Sequence, residues 1–149
     1  MTDPARPLSE RKQDTLRRLE RDVDAWVATA SPDGTPYLMP LSFLWNGETL
    51  LLSTAAGNPT ARNLAKSPTL QLTLGHTRDV VHIAAMTETL RASDLTDAEG
   101  DAFAEKAGFD PRPLANYFYF RATPTKIQAW REVNELKDRV LMESGSWLV

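Results

Sequence analysis

Between Asp33 and Arg78 the only charged residues are Glu48, Arg62 and Lys66. A stretch so poor in charge cannot face water along its whole length, so it predicts the buried framework of the molecule. Any charge inside it needs a reason. The stretch is also punctuated by turns. Pro32-Asp33-Gly34 presets φ and then offers a residue that accepts positive φ. Asn46-Gly47 is the strongest short hairpin signal available.

The segments between these turns read as strands: residues 25–31, 36–45 and 48–54. Pro40 inside the second predicts an edge or a bulge. The run Leu50-Leu51-Leu52 predicts burial on both faces. Residues 69–74 alternate apolar and polar, 80–92 form a long fifth strand, and 117–123 and 126–130 are the last two. Helices are expected around them. Residues 8–22 carry Leu16, Leu19 and Val23 on one stripe, with a solvated basic face opposite. Asn58 suits an N-cap and Pro59 the first helical position, and Ser67-Pro68 ends that helix. Thr96-Asp97-Ala98-Glu99 is a capping box opening a helix that stops at Gly108. The charged segment 132–142 is expected to be helical. Short strands, two of them joined by tight turns, predict a mainly β protein, a small antiparallel barrel with peripheral helices. Residues 1–149 are read as one domain, with the N-terminal helix within 1–24 packed on it.

Composition narrows the chemistry. With 17 Lys+Arg against 20 Asp+Glu, the net charge of -3 speaks against a nucleic-acid partner. There is no cysteine, so thiolate metal sites, disulfides and a cysteine nucleophile are excluded, and a cytoplasmic location is expected. His76 and His82 are the only histidines, so no metal site is expected. The polar start, Met1 to Arg6, shows no signal-peptide core, and no apolar run is long enough to span a membrane. No glycine-rich nucleotide loop and no nucleophile elbow is present. Asp94, Asp97, Glu99 and Asp101 read as a solvated helix start, and His82 as a half-buried structural imidazole. No side chain is assigned a catalytic role.

The segment from Ser53 to Leu64 is more informative. A buried strand ends at Ser53-Thr54, a loop with Gly57 follows, and a helix begins at Asn58-Pro59-Thr60. Free backbone N–H groups at a helix N-terminus suit a phosphate. Thr54 and Thr60 add hydroxyls, and Arg62 adds a permanent forked cation.

These residues carry a resemblance. Trp26-Val27-Ala28-Thr29, Asp33-Gly34-x-Pro36, Pro40-x-Ser42-Phe43, Arg62-Asn63-Leu64, Asp79-Val80-Val81 and the spaced pair Pro124 and Trp130 occur in an order similar to the FMN-binding split β-barrel family, the pyridoxamine 5′-phosphate oxidase-like proteins. The resemblance covers about residues 20–149. It implies a split antiparallel barrel and a homodimer with flavin sites at the shared interface. It implies FMN in many members, the deazaflavin coenzyme F-420 in a branch of relatives, and heme in a few. By position, Met39, Pro40, Leu41 and Ser42 would run past the flavin ring. Ser53, Thr54, Asn58, Thr60, Arg62 and Asn63 would lie near the cofactor phosphate. Trp130 and Arg139 match flavin-contacting positions near the C-terminus.

The chain departs from the family pattern in two places. Asn58-Pro59-Thr60 stands where the oxidase carries Ser-Arg-Lys for the FMN phosphate, leaving Arg62 to substitute. Glu135 and Lys137 replace the oxidase's substrate Arg and His, and a carboxylate there should repel a substrate phosphate. The resemblance therefore implies an oxidoreductase acting on a small molecule other than pyridoxamine phosphate. A deazaflavin-dependent reductase, a non-catalytic flavin or heme module with His76 or His82 as axial ligand, and a cofactor-free interaction barrel are the alternatives.

Overall fold

A computed structural model describes residues 3–149; Met1 and Thr2 of the polar N-terminus lie outside the described residues. One antiparallel sheet of nine strands curls into a split barrel. The strands are β1 (Asp24–Ala30), β2 (Pro36–Ser42), β3 (Leu44–Trp45), β4 (Leu50–Ala55), β5 (Thr69–Leu74), β6 (Val80–Leu90), β7 (Tyr117–Trp130), β8 (Val140–Glu143) and β9 (Ser146–Trp147). Seven of them follow the order β2-β1-β5-β6-β7-β4-β3, while β8 pairs with β7 and β9 with β8. Three helices lie outside it: α1 (Leu8–Arg21), α2 (Pro59–Lys66) and α3 (Asp97–Ala107).

The expected second strand is divided. The chain leaves its ladder with β1 at Ser42, bends at the fully buried Phe43, and joins β4 at Leu44. One stretch of chain thus meets both ends of the sheet, and the split lies between β2 and β4. Pro40 sits in β2 at the sheet edge, where its missing N–H leaves no ladder bond unmade. The Asn46-Gly47 turn joins β3 to β4, with Asn46 Oδ1 accepting from the Glu48 and Thr49 amides at 2.9 and 2.7 Å and Gly47 at φ +98°.

The leucine run is buried on both faces, as expected. Leu50 and Leu52 join the main core with Val27, Leu72, Ile83, Phe120 and Ile127. Leu51 points the other way, into a second cluster under α3 with Leu90, Phe103 and Tyr119. The Phe103 and Tyr119 rings meet edge to face, with centroids 5.4 Å apart. Arg121 on β7 holds α3 through Glu99, with two contacts of 2.8 Å. Of the expected capping box only half forms: Thr96 Oγ1 accepts from the Glu99 amide, while the Glu99 carboxylate goes to Arg121.

The two expected C-terminal strands are one. β7 runs without a break from Tyr117 to Trp130 because a bulge, not a turn, absorbs the irregularity. Ala85 pairs with Pro124 and Ala84 with Lys126, which leaves Thr125 over. The helix expected at 132–142 is absent. Val133–Glu135 forms a single 3-10 turn, Asp138 takes a positive φ of 60°, and β8 and β9 follow.

The physical reason is Glu135, which is 2% exposed and accepts from Arg6 Nη2 and the Arg131 amide at 2.8 Å each. Charge density suggested a solvated helix; the pair draws the chain inward instead. The face of α1 differs for the same reason. Its buried stripe is Arg11, Thr15 and Leu19, while Val23 is exposed. The buried Arg11 guanidinium donates to the carbonyls of Ala129 and Glu135, tying α1 to the end of β7. Among the described residues no helix is long and apolar enough to cross a membrane.

Candidate functional site

The split between β2 and β4 opens into a cleft of about 390 Å³. Pro40, Leu41 and Ser42 line it from β2, Ser53 and Thr54 from β4, and Phe103, Ala107, Phe109 and Tyr117 close one side. Five of the residues expected to contact a flavin therefore converge on one cavity. Met39 is half-buried beside them on β2, with its sulfur 3.8 Å from the Tyr37 hydroxyl. The hydroxyls are held in place: Ser53 Oγ donates to the Phe118 carbonyl at 2.7 Å, and Ser42 Oγ to Asp24 Oδ1 at 2.6 Å.

α2 begins directly beyond Thr54. Its first intrahelical amide bond is Arg62 N–H to the Asn58 carbonyl at 3.0 Å, so the Thr60 and Ala61 amides have no partner within the helix. Asn58 stands at the N-cap but does not cap. Its amide nitrogen donates to Thr54 Oγ1 at 2.8 Å, which pins the loop to β4 and leaves the helix start open. Asn63 turns inward to Thr29 Oγ1 at 3.0 Å. Thr60 is 1% exposed, and its hydroxyl has no hydrogen-bond partner in the structure. Arg62 projects outward and makes no hydrogen bond or ion pair among the described residues. Open amides, an orphaned hydroxyl and an unpaired guanidinium at one helix start fit an anionic group such as a flavin phosphate.

Trp130 and Arg139 lie elsewhere. Ser53 and Thr54 pair with the first turns of β7, at Tyr119 and Phe118, whereas Trp130 is the strand's last residue. Trp130 is 11 residues past Tyr119, about 36 Å along the strand at roughly 3.3 Å per residue. The structure does bring Trp130 and Arg139 to each other, with the guanidinium carbon 5.5 Å from the ring centroid. Arg139 Nε donates to Gln128 Oε1 at 3.0 Å and Nη1 to the Leu136 carbonyl at 3.1 Å.

The charge argument drawn from Glu135 does not survive. Burial alone would raise this carboxyl, but the hydrogen bonds from Arg6 overcome that and hold it at about 2. Arg6 bonds both its oxygens, so its charge is answered inside the protein and does not face a substrate. The aromatic run at the start of β7 offers little surface to a second copy: Tyr119 and Phe120 are buried, and Tyr117 and Phe118 half-buried. Exposed apolar surface lies instead on the outer face of β2, β1 and β6, at Leu38 (59% exposed), Trp26 (50%) and Met86 (49%).

Sequence reasoning missed Phe103, Phe109 and Tyr117 as cleft walls, and it missed Gln71 and Gln128 beside His82. No spacing signals either group, because register alone assembles them. His82 is half-buried as expected. Among the described residues no group of three or more His, Asp or Glu side chains gathers as a metal site would require.

The curled antiparallel barrel, split beside an open helix start, is a split-barrel fold, and comparison with known proteins agrees. Residues 13–131 match the family model described as pyridoxamine 5′-phosphate oxidase. The chain belongs to that family; Arg139 lies beyond the matched segment. Three solved structures share the fold at low identity. An F-420 reductase is 21% identical, with 74% of this chain and 93% of that one covered and a TM-score of 0.63. A pyridoxamine 5′-phosphate oxidase-related, FMN-binding protein from Nostoc punctiforme is 18% identical, with 83% of each chain covered and a TM-score of 0.56. A heme storage protein from Vibrio cholerae is 14% identical, with 76% and 89% covered and a TM-score of 0.61. No curated protein matches the chain by sequence.

Proposed function

We propose that this chain is a flavin-binding oxidoreductase that acts, as a homodimer, on a small molecule other than pyridoxamine phosphate. The observation that carries the reading is the cleft itself: Pro40, Leu41, Ser42, Ser53 and Thr54 face one cavity beside a helix start with unpartnered amides. A bound flavin would supply the electron or hydride chemistry. The protein's part is to bind, orient and exclude water. The β2 and β4 backbones would flank the ring, and the α2 amides with Arg62 and Thr60 would receive the phosphate. Phe103, Phe109 and Tyr117 would keep water from one wall.

The dimer reading rests on two features. Trp26, Leu38 and Met86 share the outer face of the sheet, through the pairs Ala28↔Leu38, Ala28↔Gln71 and Thr69↔Met86. Exposed side chains of this size on one face are suited to cover by a second copy. Trp130 and Arg139 stand at the far end of β7 from the cleft, so a second copy is the way for both groups to reach one ligand. Heme is less well served. Both ring nitrogens of His82 are engaged, to Gln71 and Gln128, and His76 Nδ1 accepts from the Arg78 amide.

The test is the absorption spectrum of the purified protein and the mass of whatever it releases on denaturation. Released FMN supports the reading. Released deazaflavin keeps the fold and changes the cofactor. Heme, or a colourless protein that takes up no added flavin, overturns it. With FMN loaded, pyridoxamine 5′-phosphate should not be oxidised at a useful rate, because neither Glu135 nor Lys137 supplies the pair the oxidase uses.

A further inference from the structure

A line of side chains crosses the outer face of the sheet from β5 to Arg139. His82 Nε2 lies 2.6 Å from Gln71 Oε1, Gln128 Nε2 lies 3.4 Å from His82 Nδ1, and Arg139 Nε lies 3.0 Å from Gln128 Oε1. The ladders bring these positions together: His82 pairs with Thr73 on β5 and with Gln128 on β7, and Gln71 is the diagonal neighbour of His82.

The polarity of this line is set from one end. A guanidinium only donates, so Gln128 must turn its carbonyl oxygen to Arg139 and its NH2 to His82. Nδ1 of His82 must therefore accept, which makes the imidazole neutral with its proton on Nε2, donated to Gln71 Oε1. Protonation would put an N–H on Nδ1, facing the NH2 of Gln128. If the amide flips to accept it, NH2 then faces the Arg139 Nε–H. Two donors oppose each other in either arrangement, so Gln128 cannot accept from a protonated His82 and from Arg139 at the same time.

We propose that His82 and Gln128 are positioning residues for Arg139, and that protonating His82 releases Arg139 from Gln128. The consequence for a cofactor rests on the flavin reading above, in which Arg139 and Trp130 contact the flavin.

The surroundings are consistent with a group poised this way. Burial, and then the positive charge of Lys126 on β7, hold the His82 imidazole below its ordinary value, so it is neutral at neutral pH. The groups facing it are Gln71 and Thr73 from β5, Trp26 beyond them on β1, and Lys126 and Gln128 from β7. Arg139 and Asp138 lie past Gln128, and Glu143 approaches Lys126 at 3.9 Å. Among the described residues no carboxylate forms an ion pair or hydrogen bond with His82 to stabilise its charged form. Once Gln128 lets go, Arg139 keeps its contact with the Leu136 carbonyl and its place over Trp130.

Two measurements on the full-length protein test this separately. The first needs no flavin: the Arg139 Nε–H resonance is followed by NMR from about pH 7.5 to about pH 5, the range in which histidine titrates. It should shift with the same midpoint as the His82 ring, below the ordinary histidine value. In His82→Gln, which stays neutral, the shift should vanish. An Arg139 resonance that ignores the His82 titration, or that still titrates in His82→Gln, overturns the proposal. The second measurement is the FMN dissociation constant at the two ends of that range. It should rise about tenfold on acidification, the size expected for a lost charged hydrogen bond, and His82→Gln should flatten the rise. If the resonance titrates as described while FMN affinity ignores both pH and Arg139→Ala, the relay stands and the placement of flavin at Arg139 is what fails.

Discussion

Two corners of this molecule hold most of its unusual polar groups, and they treat charge in opposite ways. At the corner where α1, the end of β7 and the 3-10 turn meet, every buried charge is answered. Glu135 accepts from Arg6 and from the Arg131 amide, Arg6 also reaches Asp14 at 2.9 Å, and Arg11 donates to carbonyls. At the corner where β2, β4 and α2 meet, polar groups are left over: an orphaned Thr60 hydroxyl, open helix amides and an unpaired Arg62. The first arrangement closes the fold around the chain's two ends. The second leaves hydrogen-bonding capacity that only a ligand or water can use. The buried charges of the first corner serve the fold, although the Thr15 hydroxyl of α1 is unpartnered there too; on the flavin reading, the leftover groups of the second corner would take the cofactor's phosphate.

The comparison breaks most readily at Glu135. Removing one partner of a buried pair leaves the other charge stranded, so Glu135→Gln or Arg6→Ala should destabilise the protein by about 3–5 kcal/mol in urea unfolding. The pH dependence follows from the same carboxyl. Its folded value of about 2 lies below the ordinary 4.5, so the stability it contributes is present above pH 4.5 and is lost as pH falls toward about 2. Glu135→Gln should flatten that acid limb. An unchanged acid limb would mean that the pair does not hold this corner.

At the other corner the pattern should reverse. Arg62→Ala touches no internal partner, so unfolding should change by no more than about 0.5 kcal/mol. FMN affinity should nevertheless fall about tenfold, as for a lost hydrogen bond to a charged group. Riboflavin, which lacks the phosphate, should bind the variant as it binds the native chain. Equal losses for both ligands would remove Arg62 from the phosphate site.

Trp130 and Arg139 test whether the far end of β7 belongs with the cleft. Trp130→Phe and Arg139→Ala should each weaken flavin binding while leaving the melting temperature of the cofactor-free protein nearly unchanged. The double variant should lose less than the sum of the single losses, with a coupling of about 0.5–1 kcal/mol for the stacked pair. Additive losses would mean that the two contact the ligand independently. If Trp130→Phe melts early and binds flavin normally, its role is packing.

The smallest effect is expected at Thr60. Replacing an unpartnered buried hydroxyl with a methyl of similar shape is close to neutral, so Thr60→Val should leave unfolding unchanged or raise stability by up to about 1 kcal/mol. FMN affinity should fall a few-fold if the hydroxyl turns to the phosphate. A clear loss of stability instead would show that Thr60 has a partner in solution and is not part of the open corner.

The sequence by itself determined where β1, β4, β5 and β6 run, most of the turns and two of the helices' boundary signals, because hydrophobic alternation, Asn46-Gly47, Pro59 and Gly108 act within a few residues of chain. It also determined the family, through motifs whose order resembles it, and that resemblance pointed to Pro40, Leu41, Ser42, Ser53 and Thr54, which line the cleft. Only the tertiary structure decided what depends on partners far apart in sequence. Segment 132–142 is not a helix because Arg6, at the other end of the chain, draws Glu135 inward. β7 is one strand because β6 pairs across its bulge. The line from Gln71 through His82 and Gln128 to Arg139 exists because three separate segments lie in register. Local patterns write themselves into short windows of sequence. A hydrogen bond between residues more than a hundred positions apart leaves no such trace, because either partner alone reads as an ordinary surface charge.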